Sequence, residues 1–478
     1  MITKTARLGV TALVATALVA VASAQPPSST ALAGQVDRIF SPFTPDTPGC
    51  AVAVYQDGRT ILAKGYGSAN LEYGVPITPA TPFIVGSVSK QFTAAAIALL
   101  VEEQRIALTD DVRKYVPELA DYGTPITIDH LVHHTSGLRD WWELVALAGL
   151  RFDDTYAVTD VLEMTARQRG LNFKPGDRYL YSNTGYIVLG IVVQRVTGKT
   201  LREFAAERIF GPLEMTNSHY QDDHTQPVRG RAYAYSPPVG GRYAINVWNN
   251  DLVGQGGVMT TVVDLAKWDD NFTTGRVGGQ GFLTRQLERG KLNDGTILNY
   301  AFGVNVGSYR GLDLVEHAGS TGGYRAVLTR FPKHKTTIAV LCNVSNAEPA
   351  TLAHRVADYL LGDAFTAPAP STAAVAAATA ARDGATAAAS ATLPVADLDQ
   401  FSGKYYSDEL NANYEITVDG STLLLKRPRA VPETLTLIDA AVLRSSVGTL
   451  RFTQGRGGRA ASFVLTGSRV QDIVFVRR

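Results

Sequence analysis

Ser87 and Lys90 stand three residues apart in the run PFIVGSVSKQFTAAAIALLVEE, residues 82–103. Positions three apart on a helix share nearly one face, so the lysine amine can reach the serine hydroxyl. Gly86 lets the chain turn tightly into that helix, which places Ser87 at its N-terminus, where unpaired backbone N–H groups can receive an anion. A lysine buried in such apolar surroundings loses solvation for its charge. Its pKa falls, and it becomes a plausible base for a nucleophilic serine. The alternative is a surface helix with a solvated lysine, which the apolar flanks disfavour. His130, His133 and His134 form the other cluster of reactive types. Two of them are four apart, but no carboxylate completes a metal pattern, and neither a metal nor a cofactor is expected.

The elements that position Ser87 follow from pattern. Phe92, Ala95, Ala96, Leu99 and Leu100 recur at helical spacing after the motif and imply a buried face. Before it, residues 50–67 read as a β-hairpin around the turn pair Asp57-Gly58. Residues 105–275 are mainly helical patterns broken by glycine and proline, with a capping box expected at Thr200–Glu203. From 300 onward the strand-like runs YAFGVNVGS, DLVEHAGS, YRAVLTRF and TIAVLCNV appear, then a helical pattern at AEPATLAHRVADYLLG. Strands at both ends of a helical region imply an antiparallel sheet that unites them, flanked by helices and carrying a helical subdomain.

The 478 residues, 45% hydrophobic and 19% charged, are enough for more than one core. A net charge of +1 gives no sign of a nucleic-acid partner. Residues 1–24 read as an export signal: Lys4 and Arg7, an apolar run from Leu8 to Val21, and small residues at Ala22-Ser23-Ala24. That run is too short to span a bilayer, and no later stretch reads as a membrane span. The mature chain is expected in the periplasm or outside the cell. Residues 25–363 form the main domain, residues 364–396 an Ala/Pro/Thr-rich linker, and residues 397–478 a small antiparallel barrel or sandwich without a nucleophile constellation. The two cysteines, Cys50 and Cys342, are either buried thiols or a disulfide.

The chain resembles the serine hydrolases of the penicillin-binding protein and β-lactamase superfamily, in the branch with class C β-lactamases, D-aminopeptidases, D-alanyl-D-alanine carboxypeptidases and related esterases. FIVGSVSKQFTA matches the first box, Tyr181-Ser182-Asn183 resembles the Y-x-N second box, and His317-Ala318-Gly319 resembles an H-x-G third box. The runs LTDDVRKYVPEL, ITIDHLVHHTSGL and GQGGVMTTVVDLAKW add to the likeness, which spans roughly residues 35–362. It implies Ser87 as nucleophile and Lys90 with Tyr181 as a coupled acid–base pair. It implies Asn183 as a holder of the substrate amide, and the N–H of Ser320 with that of Ser87 as an oxyanion hole. Gly319 would let substrate lie close to the backbone, and His317 would bind a substrate carboxylate or tune the Tyr181–Lys90 pair. Tyr179 and Tyr186 read as packed aromatics, and Trp141 and Trp142 as cleft lining or core. Since many members carry lysine where His317 stands, the resemblance favours a peptidase or esterase on small-molecule or peptide substrates, D-amino-acid peptides foremost. A β-lactamase and a catalytically idle peptide binder are the alternatives. In the family sheet the first strand lies against the last, which implies that Cys50 and Cys342 are close enough to bridge.

Overall fold

A computed structural model describes residues 28–368 and 395–478. The leader read over residues 1–24 and most of the linker read over 364–396 lie outside them. After helix α1 (Ser29–Phe40), strands β1 (Cys50–Gln56) and β2 (Arg59–Tyr66) form the expected hairpin. Asp57 and Gly58 at its tip both take positive φ, the geometry that suits the twist of a two-residue hairpin. Four later strands, β3 (Asn305–Tyr309), β4 (Leu312–Thr321), β5 (Tyr324–Phe331) and β6 (Thr336–Cys342), complete an antiparallel sheet in the order β3-β4-β5-β6-β1-β2. The hairpin thus joins the late strands through β1 and β6, with Cys50 opposite Cys342 in register. These two residues form a disulfide.

Both faces of β1 are buried, which explains why its sequence is apolar throughout rather than strictly alternating. Cys50, Val52 and Val54 pack with α1 and with helix α5 (Pro349–Leu360). Ala51, Ala53 and Tyr55 face the larger core, which includes helix α2 (Lys90–Glu102). The sequence implied one buried face for α2. Instead every residue from Lys90 to Leu100 is buried, because α2 is the central helix of the domain. Helix α4 (Asn183–Thr197) and the short helices Leu201–Ala205 and Gly279–Gln286 pack against it, and helix α3 (Trp141–Leu147) packs on α4. The region read as mainly helical also holds a hairpin, Tyr235–Val239 with Arg242–Ile245, and the short strands His219–Tyr220 and Val258–Thr260, the latter of which also pairs with Phe83–Ile84. Their few residues leave too little alternation to register as a pattern. The capping box is present: Glu203 N–H donates to Thr200 Oγ1, and Thr200 N–H to Glu203 Oε2.

The C-terminal part is a closed eight-stranded antiparallel barrel. Its strands are β7 (Gly403–Ser407), β8 (Ala412–Asp419), β9 (Thr422–Lys426), β10 (Glu433–Asp439), β11 (Val442–Ser445), β12 (Gly448–Gln454), β13 (Ala460–Thr466) and β14 (Ile473–Arg477). Closure leaves no open edge to pair with other chains. The barrel docks on the α3 region through a buried ion pair, Arg139 with Glu409. Tyr414 donates to the Leu147 carbonyl, and the β9–β10 loop brings Pro428 against Gly149. No helix among the described residues is long and apolar enough to cross a membrane.

Candidate active site

Of residues 81–100, Ser87 alone is not fully buried. It sits in a 3-10 turn, Gly86–Ser89, that leads into α2 at Lys90. Side chains three apart eclipse in such a turn, so the Lys90 amine lies over the serine, with Nζ 3.2 Å from Ser87 Oγ. Nζ also donates to Asn183 Oδ1 at 2.9 Å and to the Gln255 carbonyl at 2.7 Å. Burial drives the lysine pKa well below its ordinary value; the Asp140 carboxylate opposes that fall and the Arg469 guanidinium adds to it. A neutral amine has two N–H donors and one lone pair. With the donors directed to Asn183 and Gln255, the lone pair is left for the serine hydroxyl.

Tyr181 completes the group. Its phenol hydrogen-bonds Ser87, and its ring lies 4.7 Å from Lys90 Nζ. Burial raises this phenol far above the ordinary range, against the pull of that hydrogen bond, so it rests protonated. His134 stacks on the ring, with centroids 4.2 Å apart, and accepts the N–H of Ser182 at Nδ1. It thereby fixes the backbone beside Tyr181. Asn183 is the first residue of α4, after the N-cap Ser182, and gives its backbone N–H and Nδ2 to Asp140 Oδ2. With Oδ1 taken by Lys90, one amide hydrogen remains for a substrate.

The third segment meets the serine through backbone. A side chain on Gly319 would strike the Val85 carbonyl at 2.0 Å and stand 3.0 Å from the Ser87 nitrogen. One on Gly86, whose φ is +50°, would stand 2.6 Å from the Ser320 nitrogen. Both glycines therefore let strand β4 press against the serine turn. This corrects the reading of Gly319 as room for substrate: the space is occupied by Val85 to Ser87. The peptide nitrogens of Ser87 and Ser320 are brought to one place by this contact.

His317 departs from one of its two expected roles. It is only 4% exposed. Nδ1 donates to the Ala318 carbonyl at 2.6 Å, and Nε2 accepts the Tyr300 hydroxyl at 3.1 Å. Burial lowers its pKa to about 4. A neutral ring with both nitrogens engaged has nothing to offer a substrate carboxylate, so only the tuning role fits. The other histidines go separate ways: His130 joins a cap with Thr127, while His133 meets Asp129 and the Glu288 carbonyl. Tyr186 is buried and donates to the Val132 carbonyl as expected, and Tyr179, though 39% exposed, packs its ring against His134 and Tyr300. Trp141 is core; Trp142 stacks on Phe152 and Trp248.

Three contributors escaped sequence reading. Asp140 orients Asn183 from the N-cap of α3, and an Asp before Trp-Trp was the available sign. Gln255 acts through its carbonyl, which leaves no mark in residue type. Arg469 comes from the loop between β13 and β14 of the barrel, and its guanidinium carbon lies 5.2 Å from the Tyr181 ring centre. Nothing in the local sequence distinguishes it from other surface arginines.

A family model described as Beta-lactamase matches residues 36–361. Among curated proteins, the D-aminopeptidase of Gluconobacter oxydans (strain 621H) is 29% identical over 315 residues, which cover 66% of this chain and 59% of the relative. The D-aminopeptidase of Brucella anthropi is 30% identical over 278 residues, 58% of this chain and 52% of the relative. The chain thus spans between half and three fifths of the length of these relatives. Among solved structures, the octameric penicillin-binding protein homologue from Pyrococcus abyssi matches with a TM-score of 0.61 at 24% identity, over 93% of this chain and 99% of that one. The D-amino acid amidase from Ochrobactrum anthropi SV3 complexed with D-phenylalanine matches with a TM-score of 0.57 at 20% identity, over 70% of this chain and 99% of that one. At these identities the likeness is one of fold.

Proposed function

Because the chain belongs to the Beta-lactamase family, we propose that it is an exported serine hydrolase that forms an acyl-enzyme at Ser87 on amide or ester bonds next to a D-amino acid. The convergence of the Ser87 hydroxyl, the Lys90 amine and the Tyr181 phenol beside two glycine-spaced backbone segments carries this reading. The named D-aminopeptidase relatives support the substrate class. The leader-like first residues and the Cys50–Cys342 bridge support export, since disulfides persist in oxidising compartments.

The steps follow from the protonation states. The Ser87 oxygen attacks the carbonyl carbon while its proton passes to the Lys90 lone pair. Charge then develops on the former carbonyl oxygen, where the N–H groups of Ser87 and Ser320 receive it; each such donor is worth roughly 10²–10³-fold. As the intermediate collapses, the C–N or C–O bond breaks and the leaving group takes the Tyr181 proton. The Lys90 ammonium restores that proton to Tyr181. Water enters by the reverse route and releases the acid. Positioned proton transfer of this kind contributes roughly 10²–10⁴-fold. Asp140 and Asn183 hold the amine in place, and neutral His317 adds no charge that would compete for the proton.

Mass spectrometry after treatment with a fluorophosphonate tests the nucleophile. One adduct is expected on the native chain and none on Ser87→Ala; equal labelling of both overturns the assignment. A panel of D-aminoacyl amides, D-alanyl-D-alanine peptides, short esters and cephalosporins then ranks substrates.

A further inference from the structure

The short helix Ile128–Val132 runs into HHTSGL, residues 133–138, and ends as a Schellman motif. The Thr135 N–H donates to the His130 carbonyl at 2.9 Å, and the His134 N–H to the Leu131 carbonyl at 3.4 Å. His134 stands just past the helix with a φ of +58°. Glycine is the usual residue at this place and asparagine the next, because other side chains are strained in the left-handed region. The imidazole carries a second cost. Its Nδ1 accepts the Ser182 N–H, so the ring proton sits on Nε2, which is buried without a hydrogen-bond partner among the described residues. A residue held against two local costs points to function, since such outliers persist where the surroundings over-determine them.

What the imidazole gains is a hold on Tyr181 from three sides. The His134 carbonyl accepts the Leu180 N–H at 2.9 Å and Nδ1 accepts the Ser182 N–H at 3.1 Å, so the two bonds bracket the tyrosine along the chain. The imidazole also lies against the phenol ring itself, 4.2 Å between centres. Burial keeps the imidazole neutral, and only a neutral ring leaves Nδ1 able to accept. The carbonyl half of the bracket is main-chain. It continues into two further bonds, Gly176 N–H to the Thr135 carbonyl and Asn172 N–H to the Gly137 carbonyl, both at 2.8 Å. A substitution at position 134 therefore leaves that half in place and removes the side-chain half alone.

We infer that His134 is a positioning residue for Tyr181: its Nδ1 acceptor, presented by a left-handed backbone, holds the phenol where it can protonate the leaving group. This rests on the reading of Tyr181 as that proton donor. His134→Asn keeps an acceptor, since the amide oxygen stands two bonds from Cβ as Nδ1 does, and it tolerates the backbone. His134→Gly suits the backbone but has no acceptor. Steady-state kinetics compare the best amide of the panel above, whose amine must be protonated to leave, with p-nitrophenyl acetate, whose phenolate need not be. His134→Gly is expected to lower kcat on the amide by roughly 10²-fold, the cost of a displacement near 1 Å, with KM nearly unchanged and the ester far less affected. His134→Asn should recover most of that loss. Added to Tyr181→Phe, His134→Gly should cost nothing further, because it acts through the phenol. Native amide turnover in His134→Gly, a loss as large in His134→Asn, equal losses on amide and ester, or a full additional loss in the Tyr181→Phe chain each overturns the inference. Native amide turnover in Tyr181→Phe overturns instead the reading of the phenol, and the inference with it. Circular dichroism confirms that both variants at 134 fold, as expected of the two residues this turn prefers.

Discussion

The two regions that meet at the cleft handle charge in opposite ways. The α/β domain takes ionisable groups out of water until they are neutral: Lys90 is driven down, Tyr181 up, and His317 to about 4. The barrel supplies Arg469, whose guanidinium lies beside the Tyr181 ring. Burial removes the charge from Lys90 and keeps the Tyr181 phenol protonated, at a cost in desolvation. The barrel's contribution comes instead from a loop outside that core.

The largest effect that can break this contrast lies on the α/β side. Ser87→Ala should abolish turnover, by at least roughly 10⁴-fold in kcat, since the nucleophile's loss removes the function of the whole group. Tyr181→Phe should lower kcat by about 10²–10⁴-fold. The deficit should shrink for esters with good leaving groups, which need no proton. A loss that is the same for poor and good leaving groups would show that the phenol acts on Ser87 alone. Steady-state kinetics on matched amide and ester substrates decides between these outcomes.

How much was legible in the sequence also differs between the regions. Ser87 and Lys90 are local, so their spacing within an apolar run raised them as a pair, and the Asp57-Gly58 turn marked the hairpin. Tyr181 and His317 stand far along the chain, and only resemblance to a family connected them to the serine. Gly319 was visible as a glycine, but its partner, the backbone of Val85 to Ser87, was not. The barrel was readable as alternating strands because alternation is a local property. Its docking was not, because Arg139, Glu409, Asn172 and Glu143 are ordinary polar residues until the fold brings them together.

That docking yields the next prediction. Arg139 and Glu409 are both nearly inaccessible, and Glu409 also accepts the N–H of Arg169. Removing one partner of a buried pair leaves the other charge uncompensated, so Glu409→Ala should destabilise the chain by about 3–5 kcal/mol in urea unfolding. If the barrel were a mere appendage, kcat/KM of the folded variant would match the native chain. If it forms part of the cleft, kcat/KM should fall as the Arg469 loop loosens.

The smallest effect sharpens the charge contrast itself. His317 has a folded pKa of about 4, below the ordinary 6.5. Between those values the unfolded chain binds a proton that the folded chain refuses, so stability is full above pH 6.5 and declines as the pH falls toward 4. Between pH 7.5 and pH 5 this one residue accounts for about 2 kcal/mol of lost stability. His134, also buried and lowered, adds to the decline with the same sign. Urea unfolding at the two pH values should therefore show a decline that His317→Gln reduces by about 2 kcal/mol and Arg469→Ala leaves unchanged. A decline of equal size in native chain and His317→Gln would mean that the imidazole keeps its proton in the fold. The neutrality ascribed to this side of the cleft would then be wrong.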